Sequence, residues 1–170
     1  MSSVPVFTSI HKVTFAYKQR LAQIPDEHFQ RNPRNGGWSY SEVYQHIFDL
    51  SLLSLYELDK CISGHGKQKS THWISRLVLF FGRFPPLMKL KVPAALGSRV
   101  TKISKEEASD MINKFLVQLQ PYGKTMELAN PLMKTPHPRL GFLNARQWLR
   151  FIEIHLKHHL KQLKRIDKSF

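Results

Sequence analysis

Trp148-Leu-Arg-Phe-Ile-Glu-Ile-His155-Leu-Lys-His-His159-Leu-Lys-Gln-Leu-Lys-Arg-Ile166 contains neither Gly nor Pro, and its apolar residues recur at helical spacing. At about 100° per residue, Trp148, Ile152, Leu156, Leu163 and Ile166 fall on one side. Arg146, Arg150, Glu153, Lys157, Lys161 and Lys164 fall on the other. The stripe predicts an amphipathic helix laid against a helical core. His155 and His159 lie inside the stripe, four residues apart, so their rings share a face with Cβ atoms about 5–6 Å from each other. His158 sits on the border of that face and reads as solvated. A single inward histidine is most simply a core residue hydrogen-bonded to a neighbouring helix. Two at this spacing can instead each give one ring nitrogen to a single metal ion. A third ligand from elsewhere in the chain decides between the two readings.

The 170 residues suit one domain, long enough to bury a core without covalent staples. The lone cysteine, Cys61, excludes an internal disulfide and a cysteine zinc cluster. The first residues lack a basic stretch followed by a long apolar one, and no apolar run approaches the ~20 residues of a spanning helix. A cytoplasmic protein with no transmembrane segment is expected. The net charge of +14 is unevenly spread. Residues 1–63 balance six cations against six anions, whereas residues 64–105 hold nine Lys or Arg and no carboxylate. Residues 134–170 add nine cations against two anions. Such a surface attracts anions or serves as a solvated face.

Residues 6–24 predict a first helix, with Phe7, Ile10, Val13 or Thr14, Tyr17, Leu21 and Ile24 periodic and Pro25 as its stop. Ser39-Tyr40-Ser41-Glu42 has the pattern of a capping box, and Trp38 and Val43 are spaced for a hydrophobic staple. The second helix then turns Val43, His46, Ile47, Leu50, Leu53, and Tyr56 or Glu57 inward. His46 is the third inward histidine; Asp49, one turn on, is an exposed acid or an imidazole-orienting acceptor. Residues 64–103 form a long crossover broken by Pro85-Pro86, Pro93 and Gly97. Within it Trp73–Phe84 predicts a short helix, with Trp73, Leu77, Phe80, Phe81 and Phe84 on one side. Basic residues beside aromatics invite a membrane or nucleic-acid reading, but so short a stretch reads best as a lid over one end of the bundle, with a surface shared between subunits as a further alternative. Ser104-Lys-Glu-Glu107 is a second capping box, opening a third helix through Ala108, Met111, Ile112, Phe115, Leu116 and Leu119. Pro121 interrupts it, with helix resuming around Tyr122–Leu128. Asn130–Gly141 reads as a loop containing His137, and the last helix starts near Asn144. No sustained strand alternation, repeat or Gly-rich phosphate loop is present. The expected fold is all-α: a four-helix bundle with a long crossover between helices 2 and 3, a scaffold that builds metal sites from inward residues on facing helices.

Trp38-Ser39 before the second helix, His46 within it, the Pro-rich crossover, His137-Pro138…Gly141, and Trp148…His155-x-x-x-His159-x-x-Gln162 resemble the DinB/YfiT-like family of bacterial, stress-associated bundles. The resemblance spans essentially the whole chain. It implies a divalent metal, nickel or zinc first and manganese or iron after them, held by His46, His155 and His159. Three neutral histidines leave a fourth position open, which suits catalysis. Relatives with assigned chemistry are bacillithiol S-transferases and mycothiol-dependent maleylpyruvate isomerases; others are assigned as metal-dependent hydrolases. The implied function is therefore a metal-dependent enzyme activating a thiol or water, with low-molecular-weight-thiol S-transfer placed ahead of hydrolysis. Hydrolysis needs a nearby general base, and only Asp49 and Glu153 are close in sequence. The substrate would be a small molecule, an anionic thiol drawn by the basic crossover. Family members are often dimers, which makes the aromatic crossover a candidate surface in a homodimer. The competing class is a non-enzymatic basic module binding nucleic acid or an anionic surface. No helix-turn-helix, zinc-finger or RNA-binding motif supports nucleic acid as its partner.

Overall fold

Both capping boxes form. The structure, a computed structural model, describes residues 4–34, 36–83 and 100–170. In chain order its elements are α1 (Val4–Gln23), α2 (Asp26–Phe29), α3 (Tyr40–Ile62), β1 (Lys67–Gln68), α4 (Trp73–Phe81), α5 (Lys105–Leu119) and α6 (Tyr122–Thr125). A 3-10 turn (Met126–Leu128), β2 (Met133–His137), β3 (Gly141–Asn144), α7 (Ala145–Ile166) and a closing 3-10 turn (Asp167–Ser169) complete them. Ser39 and Ser104 each accept from the backbone N–H three residues on, while Glu42 and Glu107 reach back to the cap N–H. Asn144 and Gln147 build a third such box at the start of α7. Each box satisfies N–H groups that the first helical turn otherwise leaves unpaired.

The long helices α1, α3, α5 and α7 make the four-helix bundle, and tertiary bonds set their directions. Ser41 Oγ meets the Ile103 carbonyl at the start of α3 and α5, and Tyr122 past the end of α5 donates to Asp59 near the end of α3. Those two helices therefore run parallel. Arg20 near the end of α1 pairs with Asp167 after α7, and Tyr17 donates to the Leu156 carbonyl, so α1 and α7 also run parallel. Tyr40 at the start of α3 donates to Asp167, and Cys61 at its other end contacts the Leu143 carbonyl, making α3 and α7 antiparallel. Parallel neighbours cannot be joined by a tight turn, and this requires the long connection between α3 and α5. Of that connection, Pro85, Pro86, Pro93, Gly97 and Phe84 lie outside the described residues.

Tyr17, Tyr44, Phe48 and Phe115 fill the centre, with edge-to-face contacts from Tyr17 to Tyr44 and Phe48 at 5.5 and 5.3 Å. Burying each ring contributes about 1.5–3 kcal/mol. Both tyrosine hydroxyls donate to backbone carbonyls, of Leu156 and Tyr17 respectively, so no polar tip is stranded there.

Four sequence expectations need correction. After Ile47 the buried face of α3 continues through Phe48, Ser51, Ser54, Leu55 and Leu58, whereas Leu53 and Tyr56 are exposed and Leu50 and Glu57 half-buried. Packing against both α5 and α7 rotates the covered arc away from the simple stripe. Glu153 lies inside the protein rather than on the polar face of α7. Residues 130–144 are more than a loop: β2 and β3 pair antiparallel from Lys134–Asn144 to His137–Gly141, and β1 adds to the β2 edge through Met133 and Lys134. These strands are too short for alternation to emerge, and Pro136 is tolerated where β1 no longer covers β2. Finally, α4 buries Ser75, Val78 and Leu79 and turns the aromatic stripe outward. Its buried side is tied by Ser75 Oγ to the Leu140 carbonyl and by Arg150 Nε to the Leu79 carbonyl. Gly82 ends the helix left-handed at φ 65°, under the Arg150 guanidinium, where a Cβ would collide. Among the described residues no helix is long and apolar enough to cross a membrane.

Candidate metal centre

The seam between α3 and α7 brings together three of the inward side chains of the sequence. His46 comes from the second turn of α3, and His155 and His159 from successive turns of α7. All three are buried. One ring nitrogen of each lies within 4.8 Å of one nitrogen of both others. His155 Nε2 and His159 Nε2 are 3.1 Å apart, and the His46 ring centre lies 5.3 Å from that of His155 and 4.9 Å from that of His159. Nitrogens bound to one tetrahedral ion at roughly 2.0–2.1 Å stand about 3.3 Å from each other, so the set has the size of a metal-binding triad.

Electrostatics keep these rings neutral, as metal ligands must be. Desolvation pulls His46 down to about 4, against an upward pull from the charge of half-buried Asp49. Desolvation, then His46 and His158, pull His159 down to about 3, opposed by its hydrogen bond to Gln162. His155 is lowered well below the ordinary range by desolvation and then by His159 and His46. A proton on one ring would raise the cost of a second on its neighbours.

Aromatic rings wall the cluster. Trp38 lies 4.7 Å from His46 and nearly parallel to His159 at 6.5 Å. Phe151 stacks on His155 at 5.3 Å, and His137 meets Phe151 edge to face at 4.5 Å. His137 Nδ1 accepts from the backbone N–H groups of Arg139 and Leu140, so its remaining proton sits on Nε2. Desolvation, with help from Arg139, pulls it down to about 4. His158 is exposed, as its border position implies.

The two acids close in sequence differ. Burial alone would raise the Glu153 carboxyl, but hydrogen bonds from Lys157, Ser9 and Arg150 outweigh it and hold the group below its ordinary range. Lys157 Nζ stands 2.6 Å from one Glu153 oxygen, and Arg150 takes the other. Glu153 thus ties α7 to α1 as an anchored anion. Asp49 acts on His46 through its charge.

Sequence reasoning overlooked two roles here. Trp38, read as a staple, also packs on His46. Gln162 has its amide oxygen 2.7 Å from His159 Nδ1. That oxygen can only accept, so His159 carries its proton on Nδ1 and its lone pair on Nε2, toward the other rings. The i, i+3 spacing of His159 and Gln162 was the available signal.

No curated protein matches the chain. Among solved structures it is similar to a four-helix bundle protein, TT2238, at 19% identity over 96% of each chain with a TM-score of 0.56. It is similar to YfiT from Bacillus subtilis, described as a probable metal-dependent hydrolase with an unusual four-helix bundle topology, at 13% identity over 99% of this chain and 89% of that one, TM-score 0.65. It also resembles the mycothiol-dependent maleylpyruvate isomerase, at 11% identity over 94% of this chain and 60% of that one, TM-score 0.59. At these identities the likeness concerns the fold. The sequence pattern of the DinB superfamily matches residues 10–163, nearly the entire bundle, and the chain belongs to that superfamily.

Proposed function

We propose that this protein is a metal-dependent enzyme in which His46, His155 and His159 hold a divalent ion, nickel or zinc, and that it transfers a low-molecular-weight thiol to a small electrophile. The observation that carries the reading is the convergence of three buried, neutral imidazoles from two helices on one point. Bound there, the ion supplies Lewis-acid activation of a thiol or water at its open position.

The remaining work falls to the chain's own residues. Gln162 holds the His159 proton on Nδ1 and thereby keeps Nε2 free. His155 Nε2 and His159 Nε2, 3.1 Å apart, would both have to present lone pairs to hold an ion. Trp38 and Phe151 exclude water from two sides and fix the ring planes. The cations of residues 64–105 favour a substrate bearing carboxylates. Thiol transfer is preferred to hydrolysis because Glu153, one of the two nearby acids, is already engaged by Lys157, Arg150 and Ser9. A reducing cytoplasm, where such thiols persist, is the compartment we assign.

The test is elemental analysis of protein purified without a His-tag or chelator, beside a His155→Ala/His159→Ala variant and a His46→Ala variant. About one equivalent of nickel or zinc in the wild type and none in either variant is expected. Metal content that survives loss of His46 refutes the ligand assignment. Thiol-transfer and ester-hydrolysis assays on the loaded protein then separate the two reactions.

A further inference from the structure

Helix α4 has two unlike faces. Ser75, Val78 and Leu79 pack inward. On the opposite side Trp73, Leu77, Phe80 and Phe81 are 65%, 46%, 65% and 62% exposed. Their spacing of four, three and one places them on one stripe, and Phe80 and Phe81 touch edge to face at 5.3 Å. The stripe is held out rigidly. The hydrogen bonds of Ser75 and Arg150, with Thr71 Oγ1 bound to the Phe142 carbonyl and Gln147, fasten α4 to the hairpin and to α7. It cannot turn inward without breaking these. A contiguous aromatic patch on a rigid element marks an interaction site.

Charge selects the occupant. Arg76 on this helix and Arg83 just after it are exposed, Arg76 flanking the stripe about 60° from Trp73 on the helical wheel, and Lys67 and Lys69 shortly before it in sequence are exposed as well. No Asp or Glu occurs between Asp59 and Glu106. Aromatic and aliphatic side chains at the centre, a Trp at one end and cations at the rim are what an anionic bilayer surface recognises: rings enter the interface while Lys and Arg meet headgroup phosphates. We propose that the outward face of α4 docks this protein peripherally on anionic lipid membranes, separately from the histidine cluster.

The experiment is co-sedimentation of the full chain with vesicles of phosphatidylcholine alone and of phosphatidylcholine with 30% phosphatidylglycerol, at low and high salt. Binding should appear with the anionic lipid, weaken as salt rises, and be accompanied by a blue shift of tryptophan emission that Trp73→Phe removes. Trp73→Ala/Phe80→Ala/Phe81→Ala and Arg76→Glu/Arg83→Glu should each reduce partitioning at least about tenfold. Both variants should keep the wild-type circular dichroism and metal content, since none of these residues is in the core or the cluster. Four results overturn the proposal. One is no binding to either vesicle, and another is binding indifferent to phosphatidylglycerol. The third is Trp73 emission already blue and unquenched by acrylamide in the free protein. The last is a dimer in light scattering that the aromatic variant converts to monomer while vesicles bind neither, which assigns the face to a second copy of this chain.

Discussion

Helices α7 and α4 both display an apolar stripe in sequence, yet the protein uses the stripes in opposite ways. In α7 the stripe faces inward: Trp148, Ile152, Leu156, Leu163 and Ile166 are all buried, and His155 and His159 with them. In α4 the stripe faces out, and the smaller side carrying Ser75 is the one covered. Both helices have a strong apolar side; only the 22-residue α7 has enough length to form a bundle wall. The nine-residue α4 is positioned by individual bonds from Ser75 and to the Leu79 carbonyl. A periodic pattern therefore states which face could be buried, and tertiary anchors choose whether it is.

Acid should break the α7 seam first, and this is the largest effect expected. The histidines of the cluster have folded pKa values depressed to about 4 for His46 and about 3 for His159, below the ~6.5 of an unfolded chain. The unfolded state thus binds more protons below that value. Their stabilising contribution is complete above about pH 6.5 and is lost as pH falls toward 4, by up to about 1.4 kcal/mol per pH unit for each ring. Urea midpoints of metal-free protein at pH 7.5 and 5.0 should differ widely; equal midpoints would show the rings are not buried as neutral groups.

A direct test of the contrast compares one truncation on each stripe. Leu156→Ala, in the α7 core, should destabilise by about 2–5 kcal/mol in urea unfolding. Phe80→Ala, on the outward face of α4, should stay within about 0.5 kcal/mol of wild type. Similar losses at both sites would mean that the α4 stripe is covered in solution.

Gln162→Leu sharpens the account of the cluster itself. Loss of the acceptor at His159 Nδ1 should weaken metal binding about 10–100-fold, read by competition with a chelating dye. Undiminished affinity would mean that Gln162 does not set the His159 tautomer.

A modest loss within the buried face should come from Trp148→Phe, which keeps the ring in the core but removes the 2.8 Å bond from its indole N–H to Thr135 Oγ1. About 1 kcal/mol of stability should be lost in thermal or urea unfolding, because Thr135 also meets Cys61 and the Glu57 carbonyl. A loss several times larger would show that this bond, more than packing, joins α7 to the hairpin.

Much of this was legible in the chain. The boxes at Ser39 and Ser104, the stops at Pro25 and Pro121 and the start near Asn144 are local, so a few neighbouring residues suffice to set each boundary. Helical periodicity placed His46, His155 and His159 on inward faces, and the family resemblance implied that the three converge. The position of Glu153 was not legible. It lies off the apolar stripe by any wheel, and only Ser9 of α1, with Arg150 and Lys157, makes its burial tolerable. The β2–β3 hairpin was hidden because a five-residue strand containing Pro136 offers too little alternation to register.

The sequence by itself determined the long helices, the caps at Ser39 and Ser104, the bundle class, the length of the crossover and the inward placement of three histidines. Those follow from short-range rules of periodicity, capping and backbone restriction. Tertiary structure alone decided the arc of α3 that is covered, the burial of Glu153, the accepting role of Gln162 at His159 and the outward turn of α4. Each of these depends on which distant group arrives at a given face, and burial and hydrogen-bond satisfaction are properties of that meeting rather than of either segment.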